Sequence, residues 1–105
     1  MQIEKFGQGI PLDNGTVVIK FGSENCAPCR AYKPIFLDFA ESVPLEKNIR
    51  FVECQITAEN INVAEEFGIR SLPSTVVLKN GVEISRGFGI QTPDQIKNLI
   101  SGSDS

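Results

Sequence analysis

An apolar run at residues 17–21 stands five residues before the segment Cys26-Ala27-Pro28-Cys29, and an amphipathic helical pattern follows that segment directly. A short, nearly continuous apolar run is typical of a buried parallel strand. Two cysteines with a two-residue spacer reach the same turn, so their sulfurs can bond when oxidised. The sequence therefore predicts an α/β fold with both cysteines where a buried strand passes into a helix.

The rest of the pattern predicts the order strand, helix, strand, helix, hairpin, helix after a short first strand. The expected strands are residues 3–6, 17–21, 49–56, 75–79 and 82–86, with Asn80-Gly81 as the hairpin turn. Three helices are expected. The first follows Cys26 and extends to Val43, with a kink at Pro34. The second lies with its entry within 57–67 and ends at Gly68, and the third begins at Thr92-Pro93. This order predicts a central mixed sheet, parallel strands plus a C-terminal antiparallel hairpin, covered by helices on both faces.

Length and charge bound the remaining possibilities. The 105 residues suit one domain over 1–105, with residues 101–105 as a flexible tail. The net charge of −3 and the scattered basic residues argue against a nucleic-acid partner. No apolar stretch approaches the ~20 residues that span a bilayer, and the N-terminus does not resemble a signal peptide. We therefore expect a monomer in the cytoplasm, with no membrane partner.

The chain has three cysteines and no histidine. An odd cysteine count does not suit a secreted disulfide scaffold, and hydrolases that need a histidine base are excluded. At a helix N-terminus Cys26 would favour its thiolate, which attacks a partner disulfide, and Cys29 would resolve the mixed disulfide. A zinc site completed by another ligand and inert packing are the alternatives, and the strand–helix context favours the redox interpretation.

Four stretches make the chain resemble the thioredoxin family from about residue 17 to residue 100. They are Cys26-Ala27-Pro28-Cys29-Arg30, the helix proline Pro34, the run at residues 67–74, and Lys79-Asn80-Gly81 followed by Gly89. The resemblance implies the thioredoxin fold and reduction of protein disulfides through Cys26 and Cys29. It implies no cofactor besides that redox-active disulfide and no metal. As partners it implies disulfide-containing proteins and a thioredoxin reductase or equivalent electron donor.

The resemblance also implies a substrate-binding surface. Pro73 would be cis and would face the two cysteines, and the backbone of Leu72 would pair with an extended substrate segment. Ala27, Pro28 and Gly89 complete this predicted surface. From the residues alone, Leu72–Pro73 would be an ordinary trans link into the hairpin, since only about 5–6% of X–Pro bonds are cis, and the resemblance overturns that expectation.

Three departures from the family pattern stand out. Ala27 replaces the usual glycine between the cysteines. Asn25 and Gly22 stand where the family commonly has tryptophan, and the chain has none. The region before Asp13 is short and glycine-rich, so we expect the family's first helix to be shortened or missing.

A fourth departure concerns charge. The family carries a buried aspartate six residues before the first cysteine and a partner lysine on the neighbouring strand; the corresponding residues here are Lys20 and Glu53. We expect them to form a coupled, inverted pair that takes part in catalysis, against the alternative of two solvated residues at strand edges. Cys54 points to the opposite face from Glu53 and is expected to be a small buried hydrophobe.

Three functions stay open at this point. The first is a cytoplasmic dithiol reductant, which the absence of a signal peptide favours. The second is a disulfide oxidant or isomerase, since proteins of this fold span potentials from about −270 to about −120 mV. The third is a binding module in which the cysteines are dispensable.

Overall fold

A computed structural model describes residues 3–7 and 9–102, which form one five-stranded sheet with three α-helices. The strands are β1 (Ile3–Lys5), β2 (Thr16–Gly22), β3 (Ile49–Gln55), β4 (Ser74–Lys79) and β5 (Val82–Phe88), and the helices are α1 (Ala27–Ser42), α2 (Ile61–Glu66) and α3 (Pro93–Ile100). The predicted order of elements is confirmed. Of the predicted tail, residues 101–102 form a turn and residues 103–105 lie outside the described residues.

The strands lie in the order β1-β3-β2-β4-β5. β1, β3 and β2 are parallel to one another, whereas β4 runs antiparallel to β2 and β5 antiparallel to β4. Asn80 and Gly81 both have positive φ, as the predicted two-residue hairpin turn requires. The mixed sheet expected from the sequence is therefore confirmed, with β2 at its centre.

Helices cover both faces of the sheet. On one face, aromatic side chains of α1 and apolar side chains of α3 bury Val18, Phe51 and Val77. On the other face, α2 and the loop after it pack on Val17, Ile19 and Val52 through Val63 and Phe67. Alternate residues of β2 therefore face two separate cores, which explains why its sequence is apolar almost without a break.

The helix termini follow the local sequence signals. The Thr92 hydroxyl accepts from the Gln95 backbone N–H, and the Gln95 side chain accepts from the Thr92 N–H, which forms a capping box before α3. α1 ends at Ser42, before Val43-Pro44, and it continues through Pro34. The kink expected at Pro34 stays a prediction.

The short helix expected with its entry over residues 57–67 is confirmed, and the helix itself is 61–66. In the entry, the Asn60 side chain accepts the backbone N–H of Thr57. A short 3-10 helix, Leu45–Lys47, was not predicted. In residues 3–7 and 9–15, between β1 and β2, the structure has no helix, as the glycine-rich sequence indicated.

Truncation of Phe36 tests the core beneath α1. Its ring is fully buried between those of Tyr32 and Phe51. We expect Phe36→Ala to lower the free energy of unfolding by about 3–5 kcal/mol in urea denaturation. Phe88→Ala is the matched control, because that side chain is 58% exposed, and it should change stability by no more than about 0.5 kcal/mol. Similar losses in both variants would contradict this packing.

Candidate active site

The two cysteines lie at the junction between β2 and α1. β2 ends at Gly22, three residues cross the top of the sheet, and Cys26 is the N-cap of α1. The Arg30 guanidinium donates to the Glu24 carbonyl at 2.8 Å and so ties this connection to the first turn of the helix. The predicted position of Cys26 at a helix N-terminus is confirmed.

Cys26 and Cys29 are joined by a disulfide, with their Cα atoms 5.2 Å apart. The backbone N–H of Cys29 donates to the Cys26 sulfur at 3.2 Å. Cys26 is half-buried, whereas only 5% of Cys29 is exposed. The helix N-terminus thus directs an N–H group and the positive end of its dipole at the more accessible sulfur, and both favour a thiolate there after reduction.

The loop before β4 approaches the disulfide from the side. The Leu72–Pro73 peptide bond is cis, as the resemblance implied. The Leu72 carbonyl oxygen lies 3.8 Å from the Cys26 sulfur, and the Gly89 N–H donates to the Pro73 carbonyl at 2.9 Å. The structure therefore brings Leu72, Pro73 and Gly89 together beside Cys26. Ala27 and Pro28 are exposed in the first turn of α1.

Two large apolar side chains flank Gly89 on this surface. Phe88 is 58% and Ile90 is 45% exposed. Neither residue was singled out from the sequence, because the end of a strand and the loop after it give no pattern that separates an exposed apolar residue from a buried one.

Gln91 is a third residue that sequence reasoning missed. It is 5% exposed, and its amide nitrogen donates to the Phe88 carbonyl at 3.0 Å. A Cβ on Gly87 would lie only 2.8–2.9 Å from the amide atoms of Gln91. Glycine at position 87 therefore lets a buried polar side chain pack under the Phe88–Gly89 turn, and Gln91 holds that turn beside Pro73. The Oε1 atom of Gln91 has no hydrogen-bond partner among residues 3–7 and 9–102.

Three charged residues on adjacent strands are aligned by the register of the sheet, below the disulfide. Glu53 of β3 is the register partner of both Lys5 on β1 and Lys20 on β2. The Lys20 ammonium lies 3.2 Å and the Lys5 ammonium 3.4 Å from the Glu53 carboxylate. The expectation that Lys20 and Glu53 form a pair is confirmed, and the solvated alternative is wrong for Lys20, whose side chain is 6% exposed.

The environment of Glu53 keeps its carboxyl ionised. Burial pushes the pKa of Glu53 upward, but the charge and hydrogen bond of Lys20, together with the charges of Lys33 and Lys5, outweigh burial and lower it from its ordinary value. The carboxylate borders a cavity of about 150 Å³ that Lys5 and Lys33 also line. Lys20 itself is enclosed, with its ammonium 5.9 Å from the centre of the Phe36 ring.

Gly22 links this pair to the disulfide. A Cβ on Gly22 would lie 3.5 Å from the Cys29 sulfur and 3.9 Å from the Lys20 ammonium nitrogen. The sum of those two distances is an upper bound on the separation between the sulfur and the ammonium. Lys20 is thus a buried cation close to the less accessible cysteine.

Cys54 belongs to the opposite face of the sheet. It is a free cysteine, 2% exposed, among the apolar residues under α2. Burial raises the pKa of its thiol to about 11. Both features match the expected small buried hydrophobe.

Residues 3–7 and 9–102 hold no group of three or more histidine, cysteine or acidic residues placed to bind a metal ion. None of the helices in these residues has the length and apolar character that crossing a bilayer requires.

Comparison with known proteins gives a consistent result. The family model described as Thioredoxin matches residues 1–102. The chain is 31% identical to a thioredoxin of Chlamydia muridarum over 90 residues, which cover 86% of this chain and 84% of that one. It is 30% identical to a thioredoxin of Rickettsia felis, with 83% and 80% covered. Among solved structures, the short form of spinach chloroplast thioredoxin f superposes with a TM-score of 0.81 at 20% identity, over 95% and 92% of the two chains.

The contact between Gly87 and Gln91 makes a compensating pair of substitutions informative. We expect Gly87→Ala to lower the free energy of unfolding by about 1–3 kcal/mol, because the new methyl group displaces the buried amide. Gln91→Ala removes the amide, so the double variant should be more stable than the sum of the two single effects predicts. Chemical denaturation of the four proteins measures this, and additive effects would show that the two residues do not pack together.

A second cycle tests the buried pair. Lys20→Met and Glu53→Leu should each lower the free energy of unfolding more than the double variant does, because breaking a buried pair commonly costs about 3–5 kcal/mol and replacing both residues costs little. Glu53→Leu should lower the free energy of unfolding more than Lys20→Met does. It leaves the buried Lys20 ammonium without its carboxylate, whereas in Lys20→Met the Glu53 carboxylate still contacts Lys5.

The coupling should also depend on pH. The pKa of Glu53 is lower in the folded protein, so its contribution is present above the unfolded carboxyl pKa and is lost as pH falls through the folded value. Additive effects at neutral pH would show that the two charges are independent, and coupling that persists in strong acid would show that the interaction does not depend on the ionised carboxylate.

Proposed function

The chain belongs to the thioredoxin family of thiol–disulfide oxidoreductases, and on this premise we propose that it reduces disulfides of other proteins with electrons held by Cys26 and Cys29. The observation that carries the proposal is the asymmetry of the two sulfurs. Cys26 is the accessible N-cap and accepts an N–H bond, whereas Cys29 lies buried one turn behind it. This arrangement suits a nucleophile and a resolving group in the same turn.

The reaction proceeds in two exchanges. The Cys26 thiolate attacks one sulfur of the substrate disulfide; that S–S bond breaks, a mixed disulfide forms, and the other substrate sulfur leaves as a thiolate. Cys29 then loses its proton to solvent and attacks the Cys26 sulfur, which releases the second substrate sulfur. Both substrate thiolates take up protons, so two electrons pass to the substrate and the Cys26–Cys29 disulfide remains. A partner that supplies a dithiol, a thioredoxin reductase or its equivalent, returns the two electrons.

The surface around Cys26 serves substrate docking in this proposal. Leu72 offers its backbone beside the reactive sulfur, and Pro73 and Gly89 form the wall next to it. An extended substrate segment would bind there by main-chain hydrogen bonds, with the exposed side chains around it giving selectivity. Ala27 and Pro28 present the other side of this surface, on α1.

We also propose a cellular setting that suits this chemistry. A protein that donates electrons to disulfides works where thiols are kept reduced, so we place it in the cytoplasm as a monomeric carrier in electron transport and redox homeostasis. The sequence offers no basic patch for nucleic acid, which agrees with protein disulfides as its substrates.

Trapping of intermediates tests the assignment of roles. Cys29→Ser should accumulate mixed disulfides with substrate proteins, because Cys26 still attacks and nothing resolves the product. Cys26→Ser should neither reduce substrate nor trap it. Non-reducing electrophoresis of the reduced variants after addition of a disulfide-bonded protein measures both outcomes.

Cys54→Ser is the matched control, since it removes the buried third thiol and should leave both reduction and trapping as in the unaltered protein. Trapping by Cys26→Ser instead of Cys29→Ser would reverse the roles. If Cys26→Ser and Cys29→Ser both still reduced substrate, a dithiol mechanism would be refuted.

A further inference from the structure

A positive charge lies close to Cys29, although it belongs to a pair whose overall charge is neutral. Around the point where a Cβ on Gly22 would lie, the three nearest atoms outside the neighbouring residues are two atoms of Cys29 and the ammonium nitrogen of Lys20. The Glu53 carboxylate is bound to Lys20 and borders the cavity toward Lys5 and Lys33. The Lys20 ammonium therefore lies beside the resolving sulfur.

The position of the Lys20 ammonium bears directly on the reaction. The reaction needs Cys29 as a thiolate, and the disulfide that forms is uncharged. A cation enclosed beside the sulfur stabilises the thiolate relative to the thiol and to the disulfide. We propose that Lys20 stabilises the Cys29 thiolate through its charge, which favours the dithiol form over the disulfide and makes the protein a milder reductant, while Glu53 holds Lys20 in place and is not the base.

The proposal rests on the function proposed above, and three observations support its details. An ammonium has no lone pair, so a charged Lys20 cannot accept the Cys29 proton. The lowered pKa of Glu53 makes its carboxylate a weak base, and its short contacts are with Lys20 and Lys5. Lys20 is held by the Glu53 contact and the Phe36 ring, so its charge stays in place during the reaction.

The other titratable groups near this site do not supply the same effect. Tyr32 of α1 stays neutral, because burial raises the pKa of its phenol to about 12, and its hydroxyl is bonded to Thr75 of β4 at 2.8 Å. Lys33 on α1 is exposed, and the Lys5 side chain on β1 is 73% exposed, so solvent screens both charges. Lys20 is the enclosed cation of this group.

The test is the equilibrium between the Cys26–Cys29 couple and glutathione. Lys20→Met should shift the equilibrium constant by about tenfold toward the disulfide form, which corresponds to a potential about 30 mV more negative. Glu53→Gln, which removes the opposing charge and keeps a hydrogen-bond acceptor for Lys20, should shift it in the opposite direction. Lys5→Met is the matched control, because it also removes a lysine that contacts Glu53, at 3.4 Å, but the charge it removes is exposed to solvent. The equilibrium constant of this variant should stay within about twofold of that of the unaltered protein.

Kinetics of the second exchange separate Lys20 from Glu53. In single-turnover measurements, release of the second substrate thiol from the mixed disulfide should slow in Lys20→Met and not in Glu53→Gln. Slowing by Glu53→Gln alone would identify Glu53 as the base and overturn the proposal. An unchanged glutathione equilibrium in Lys20→Met would also overturn it.

If Lys20→Met folds poorly, the double variant Lys20→Met/Glu53→Leu takes its place. An equilibrium equal to that of the unaltered protein, or shifted toward the dithiol form, would then refute the proposal. Failure of the proposed function looks different, because in that case the unaltered protein itself would not reduce protein disulfides.

Discussion

The hydrogen bond from the Cys29 backbone N–H to the Cys26 sulfur is the interaction on which the active site depends. It exists because β2 ends at the top of the sheet and α1 begins with Cys26 as its N-cap. The same first turn exposes Cys26, buries Cys29 and directs the free N–H groups of the helix at the outer sulfur. A helix that began one residue later would leave Cys26 in the loop and remove this asymmetry.

The sheet adds a second constraint, which is its register. Lys20 and Glu53 face each other because β2 and β3 are paired in parallel with Lys20 opposite Glu53. A slip by one residue would turn Lys20 onto the face of Val17 and Ile19, away from α1 and Cys29. The strand pairing that builds the core therefore also sets the charge beneath the active site, so the stability of the fold and the chemistry of Cys29 depend on the same contacts.

The parts of the structure that could be predicted from the sequence are those with local sequence signals. Asn80-Gly81 predicted the hairpin, Thr92-Pro93 predicted the start of α3, and the position of Cys26 after an apolar run predicted the strand–helix junction, because each depends on a few neighbouring residues. The pairing of Lys20 with Glu53 came from the family resemblance. From local pattern alone, two charges in apolar strands would have been assigned to solvent.

The features that were missed depend on contacts between distant or irregular segments. The close packing of Gln91 on Gly87 and the exposure of Phe88 arise from how the chain leaves β5, and no periodicity encodes that path. The closeness of the Lys20 ammonium to Cys29 is equally hidden, since the sequence names the charge but not its distance from that sulfur.

The most direct measurement is the reduction potential of the Cys26–Cys29 couple in the unaltered protein, obtained from its equilibrium with defined ratios of reduced and oxidised glutathione. The potential of a protein that donates electrons to protein disulfides, but whose dithiol form is stabilised by Lys20, should lie above that of thioredoxin, about −270 mV, and below that of protein disulfide isomerase, about −180 mV. A potential of about −120 mV, which is typical of a strong disulfide oxidant, would contradict the account.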